Sequence, residues 1–158
     1  MKRLTLISAL VLALGCSAFA QDAKSSWFVG FKSVLTPGGQ TYGAVSFGTV
    51  IPLGKSLYSI TDFNGGEGGS AAAEQIAVLF DLLPNFRAGF LAGLGAEWKP
   101  GGLPVDYGKG AAGALAVYDL GTSGKNYLWA AGKREGDLTT GNLWEAQWTI
   151  GLGLGVRI

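Results

Sequence analysis

Every second side chain of the C-terminal stretch is apolar. Trp144, Ala146, Trp148, Ile150, Leu152, Leu154, Val156 and Ile158 take the even positions, and Glu145, Gln147, Thr149, Gly151, Gly153, Gly155 and Arg157 the odd ones. A period of two places the first set on one face of a strand and the second on the other. Phe86, Ala88, Phe90, Ala92, Leu94, Ala96 and Trp98 alternate in the same way with Arg87, Gly89, Leu91, Gly93, Gly95 and Glu97. Both stretches exceed the roughly five or six residues of a globular strand. They match the roughly 9–11 residues that a tilted strand needs to cross a bilayer.

Extended along the chain, the pattern predicts eight strands, near 27–35, 41–53, 57–63, 75–83, 86–98, 111–120, 126–134 and 143–158. The connections are Thr36 to Gln40, Gly54 to Ser56, Asn64 to Glu74, Pro84-Asn85, Lys99 to Gly110, Gly121 to Lys125 and Glu135 to Asn142. With the N-terminus on the periplasmic side, the second, fourth and sixth connections are inner ones, and they are short. The third, fifth and seventh are longer and face outward, the arrangement of outer-membrane barrels; the first outer connection is short. Residues 71–83 carry two readings. Ala72, Ile76, Leu79, Phe80 and Leu83 lie at helical spacing with Ser70 as a cap. As a strand turning at Pro84, the same segment sets Asp81 opposite Arg87, a match that a helix does not offer.

Two kinds of barrel share this alternation, and they face opposite ways. A soluble lipocalin-like barrel holds its apolar face around a ligand and needs a charged exterior. Here the other face reads Gly, Ala and Ser, which suits the crowded lumen of an eight-stranded barrel. Gly89, Gly93, Gly95, Gly151, Gly153 and Gly155 weaken their strands by about 0.5–1 kcal/mol each relative to Ala, a cost that a narrow interior explains. Lys32, Asp81, Arg87, Glu97, Glu145 and Arg157 fall on that same face. Facing lipid near the midplane, an Arg or Lys costs about 2–4 kcal/mol, whereas inside it can pair. If strand 111–120 turns its odd residues inward, Asp119 joins Asp81 and Arg87 in a lumen cluster near the periplasmic end. Trp98, Trp144 and Trp148 lie towards the outer strand ends, and Trp27, Phe86, Tyr118 and Tyr127 towards the inner ends. They form two candidate aromatic belts at the membrane interfaces.

Composition sharpens this reading. Gly supplies 27 of 158 residues, and the charged types reach only 15% against a usual share of roughly 25%. That is too little charge to wet a soluble domain of this size. Lys2 and Arg3, the apolar run Leu4 to Leu14 and the small residues of Ala18-Phe19-Ala20 form a secretory signal. Ala13 stands where a lipoprotein box carries Leu, so the lone Cys16 is not read as a lipid anchor. Cleavage after Ala20 leaves a barrel domain over 21–158, and 12 basic against 11 acidic residues become 10 against 11. No basic stripe exists to neutralise phosphates, so nucleic acid is not an expected partner. The chain has no His, which excludes His-based catalysis and imidazole-dependent metal sites. Gly54-Lys55-Ser56 is a turn, because a phosphate loop needs Gly where Thr49 stands. Gly151-x-Gly153-x-Gly155 has no room for the helix of a dinucleotide site. No cofactor and no catalytic residue is expected.

In this pattern the chain resembles the small eight-stranded outer-membrane barrels, of the kind of OmpX and the OmpA transmembrane domain. The resemblance covers nearly all of residues 21–158. It implies an all-β, antiparallel up-and-down transmembrane barrel, exported by the general secretory route to the outer membrane and in contact with its lipids. Trp148, Ile150, Leu152, Leu154, Val156 and Ile158 resemble the C-terminal signal that such proteins present to the barrel-assembly machinery. That signal usually ends in an aromatic residue, and here Ile158 stands in its place. The resemblance implies a non-enzymatic role in adhesion, defence or membrane integrity, and no loop residue selects a surface partner. A soluble exported barrel for a lipophilic ligand and a small-solute pore are the alternative readings.

Overall fold

Ser26–Leu35 alternates buried and exposed residues from end to end. Ser26, Phe28, Lys32 and Val34 are buried, while Trp27, Val29, Phe31 and Leu35 are exposed, Phe31 to 70%. In this computed structural model, which describes residues 25–67, 69–98, 106–138 and 147–158, the alternation is the rule for most of the barrel. Among the described residues the chain forms eight strands: β1 (Ser26–Leu35), β2 (Thr41–Pro52), β3 (Leu57–Gly66), β4 (Gly69–Leu83), β5 (Phe86–Trp98), β6 (Asp106–Leu120), β7 (Asn126–Asp137) and β8 (Gln147–Arg157). Each pairs antiparallel with the next, and β8 returns to β1 to close the barrel. The closing ladder runs from Ser26 opposite Arg157 to Leu35 opposite Trp148. Closure leaves no open sheet edge, so the backbone amides of the wall are satisfied within it.

The apolar face looks outward. Trp148, Ile150, Leu152, Leu154 and Val156 are all half exposed or more, as are Phe47, Phe80 and Phe90. A continuous apolar exterior of this size does not suit water, and the soluble ligand-binding barrel falls with it. Strand lengths of 10 to 15 residues reach or exceed what a tilted span requires. Phe47 and Phe63 stack on the outer wall with ring centroids 5.4 Å apart.

Several boundaries differ from the sequence expectation. Residues 71–83 are strand throughout, where their backbone groups join ladders with β3 and β5. The Gly-rich stretch Asn64 to Ser70, expected as part of a long third connection, instead completes a hairpin. Asn64 pairs with Ala71, Gly65 with Ser70 and Gly66 with Gly69. Gly69, which opens β4 there, adopts φ +121°, a conformation that side chains disfavour. β6 starts at Asp106 and β7 runs on to Asp137, so the pairing extends into the expected fifth and seventh connections. A register shift opposite Gly95 and Ala96 accompanies φ +106° at Gly108, a bulge that lets the ladder continue. The short turns on the other side hold as expected, Gly54 to Ser56 and Pro84-Asn85 among them. Of the expected last strand, residues 143–146 lie outside the described residues, as does the candidate signal segment 1–20.

An arginine placed on the outer wall tests its solvent. Leu152→Arg, at a position 63% exposed, is expected to lower the unfolding free energy in lipid vesicles by about 2–4 kcal/mol. Denaturant titration reads the change, and an unaltered midpoint would mean that position 152 meets water.

Candidate functional site

The inward side chains fill the lumen in layers. In the half away from the chain termini, ion pairs cross the barrel. Asp62 on β3 accepts hydrogen bonds from Lys32 on β1 and, at 2.9 Å, from Ser46 Oγ on β2. Lys133 on β7 lies 3.5 Å from the same carboxylate and 2.6 Å from Glu135 Oε1. Glu135 also accepts hydrogen bonds from Gln147 Nε2 at 3.1 Å and Thr149 Oγ1 at 3.0 Å. Lys109 pairs with Glu97 at 2.9 Å. Lys32, Asp62, Gln75 and Lys133 are nearly sealed from solvent. The network is therefore satisfied internally, as buried charge must be.

The half nearer the termini is apolar inside. Phe28, Ile60, Ala77, Leu79, Leu91, Leu115, Val117, Tyr127 and Trp129 form a buried cluster. Phe28 meets Trp129 edge-to-face, with centroids 5.3 Å apart. Trp129 lies against the wall at Gly151 and Gly153, where an added Cβ would stand 2.8 Å from its Nε1. Glycine is needed there because the indole occupies the space of a side chain. A cavity of about 80 Å³ runs through this layer, bordered by Lys32, Asp62, Gln75 and Lys133 at one end and by Arg87 and Arg157 at the other.

That ring closes the termini end. Arg87 Nη1 donates to the Tyr58 hydroxyl at 2.9 Å, and Arg87 Nη2 lies 3.1 Å from Asp119 Oδ1. Arg157 Nη2 reaches the same Oδ1 at 2.5 Å, and its guanidinium lies 5.0 Å from the centroid of the Tyr127 ring. The Tyr127 hydroxyl donates to Ser26 Oγ at 3.1 Å. Asp62, Glu97, Asp119 and Glu135 are thus each held by a lysine or an arginine, an arrangement that neutralises the lumen charge from within.

This geometry defines an eight-stranded transmembrane barrel with a filled interior. The fold is shared by the N-terminal β-barrel domain of Pseudomonas aeruginosa OprF, 16% identical over 87% of this chain and 100% of that one, with a TM-score of 0.62. It is also shared by a de novo designed transmembrane β-barrel, 13% identical over 88% of this chain and 99% of that one, with a TM-score of 0.61. Ail, the attachment invasion locus protein of Yersinia pestis, is 15% identical over 87% of this chain and 100% of its own, with a TM-score of 0.52. No protein-family model matches the chain, and no curated protein sequence matches it.

Of the expected lumen cluster, the structure brings Arg87 and Asp119 together and leaves Asp81 out. Asp81 is the register partner of Arg87. It lies beyond the start of β3, however, next to a register shift, and is exposed at the rim. The guanidinium instead turns across the lumen to Tyr58 and Asp119, and Arg157 takes the place expected of Asp81. Among the candidate interface aromatics, Trp27, Tyr118 and Trp148 face outward and are about half exposed. Trp148 lies beneath Arg134, whose guanidinium carbon is 5.7 Å from the ring centroid. Tyr127 is no belt residue: it is 4% exposed and points into the lumen, because the inward face of β7 carries the odd positions. Trp98 ends β5 with its side chain outside the described residues, and Trp144 and Glu145 lie outside them altogether. Ile150, Leu152, Leu154 and Val156 line the outer face of β8, and Ile158 follows it, also exposed.

Sequence reasoning missed two features. The apolar inner layer was one, and its signal was present: Trp27-Phe28-Val29, Phe90-Leu91 and Leu128-Trp129-Ala130 are unbroken apolar runs, which mark strands buried on both faces. The other is Glu74, which faces outward on β4 and accepts hydrogen bonds from Ser59 and, at 2.6 Å, Thr61 Oγ1. Assigned to a loop, it had carried no meaning.

Removing the shared carboxylate should expose the cost of the lumen charges. Asp62→Ala leaves Lys32 and Lys133 without their common partner, and about 3–5 kcal/mol of unfolding free energy should be lost in denaturant titrations. Asp81→Asn should stay within about 0.5 kcal/mol of the unaltered protein. Equal effects at the two sites would contradict the assignment.

Proposed function

We propose that the protein is a non-enzymatic integral barrel of the outer membrane, delivered by the general secretory route, that serves the envelope as a structural element or as a surface contact through its outer connections. The observation that carries this reading is the outward apolar wall, which needs hydrocarbon around it, combined with an interior occupied by side chains. The inward acids named above are engaged by cations, and the chain has no His, so the lumen offers no evident base for a nucleophile. The exposed apolar row of β8 supports recognition of Trp148 to Ile158 by the barrel-assembly machinery. A small-solute pore is disfavoured by the ion pairs and the Phe28–Trp129 contact that cross the lumen.

Topology and conductance test this together. A cysteine replacing Gly38, in the β1–β2 turn, should react with a membrane-impermeant maleimide on intact cells. A cysteine replacing Lys55, in the β2–β3 turn, should react only after the outer membrane is opened. The purified barrel should run as a heat-modifiable band and pass no current in planar bilayers. Labelling of position 55 on intact cells would invert the topology, and stepwise conductance would establish the pore instead.

A further inference from the structure

We propose that the barrel pairs with a second copy of itself in the membrane through its β2–β4 face, where Thr49 of each copy donates a hydrogen bond to Glu74 of the other. This face belongs to the membrane-embedded wall, away from the outer connections, so it stands independently of any surface role.

Three observations meet there. The first is a polar cluster in an apolar wall. Thr61 stands at the middle of β3, opposite Thr49 on one side and Glu74 on the other. All three share the outward parity of Phe47, Phe63 and Ile76, which are exposed. Thr61 Oγ1 donates to Glu74 Oε2 at 2.6 Å, and Ser59 Oγ donates to Oε1. Arg134, by contrast, lies near the outer end of β7 over the Trp148 ring, where a charge costs little. An ionisable group facing hydrocarbon in the body of the wall marks a functional surface. The second is unused hydrogen-bonding capacity. Thr49 Oγ1 has no partner among the described residues, and a hydroxyl left unpaired in an apolar medium is costly. Each Glu74 oxygen accepts one bond and has room for another. The third is the order of the strands. Thr49 and Glu74 flank Thr61, one strand away on either side. A two-fold axis along the membrane normal, passing the wall at Thr61, therefore sets Thr49 of each copy against Glu74 of the other.

These features select the occupant. A lipid acyl chain would cover Phe47, Phe63 and Ile76 and leave the Thr49 hydroxyl and the Glu74 carboxyl unanswered. The cluster offers a donor on one flank and an acceptor on the other, so the same face turned about the axis is its complement. Two equivalent hydrogen bonds then form, with the flanking apolar side chains packed around them. Polar side chains act as glue of this kind between membrane-spanning segments, where water does not compete.

Energy transfer between full barrels in vesicles, labelled with donor or acceptor at Gly38→Cys and diluted stepwise with lipid, tests the proposal. The expected result is transfer above random proximity that is lost on dilution and rises linearly with the acceptor fraction, as for a dimer. Glu74→Leu and Thr49→Val each remove both hydrogen bonds and should weaken association about tenfold. Thr49→Ser keeps the donor and should stay near the unaltered level, as should Phe90→Ala on β5. The heat-modifiable gel shift reports that each variant folds. A mixture decides whether the bonds cross between copies: Glu74→Leu barrels retain Thr49, and Thr49→Val barrels retain Glu74. The mixed pair keeps one hydrogen bond and should associate more tightly than either variant with itself. Transfer at the random level for the unaltered barrel would overturn the proposal, whether lipid or an unrelated protein then covers the face. So would full association by Glu74→Leu, or a mixed pair no tighter than the matched ones.

Discussion

The structure depends on one constraint: the outer wall must satisfy its backbone before it meets hydrocarbon. A peptide group left unpaired in lipid costs several kcal/mol, and a closed barrel is one of two ways to avoid that cost. The pairing of β1 with β8, from Ser26 opposite Arg157 to Leu35 opposite Trp148, supplies the closure. Once the wall is sealed, side chains divide by parity, and lipid claims the face that carries Trp27, Phe31, Phe90 and Leu152. Glu74 and Arg134 are charged side chains on that wall: the hydroxyls of Ser59 and Thr61 solvate Glu74 from the neighbouring strand, and Arg134 lies over the Trp148 ring.

The same parity packs everything else into a narrow interior, where chemistry sorts along the axis. Charges lie in the upper layer around Asp62 and in the lower ring around Asp119, with the apolar cluster between them. Small residues on the inner face make room: Gly151 and Gly153 admit the Trp129 indole, and the Tyr127 ring lies over Gly155. The lumen is consequently plugged by two different materials, a neutral ion-pair network and a hydrophobic core. The ring beneath them has more cation than anion. The rigidity of the plug belongs to the fold.

Much of this was legible in the sequence because period two is a strong signal on long strands. The last strand, the turn at Pro84 and the pairing of Asp81 with Arg87 follow from alternation and counting alone. What failed had local causes. Gly-rich composition around Asn64 to Ser70 reads as a flexible connector, yet these residues pair, Gly65 with Ser70 and Gly66 with Gly69, and continue the ladder. Register opposed Asp81 to Arg87 correctly, but it could not foresee that a long guanidinium would reach across the barrel to Asp119. Tyr127 looked like a belt residue from its place at a strand end; its direction depended on which parity β7 turns inward. The inner core was hidden for a related reason, since attention to one apolar face overlooks runs in which both faces are apolar.

The alternate side chains of β8 touch lipid tails. Nitroxide labels at positions 152 and 154 of the barrel in vesicles test it most directly, compared with a label at Ser46, which faces the lumen. Strong relaxation by membrane-dissolved oxygen and weak relaxation by a water-soluble nickel chelate are expected at 152 and 154, with shielding from oxygen at 46. Shielding at 152 and 154 with oxygen contact at 46 would mean that the barrel is turned inside out, with its apolar row facing the lumen.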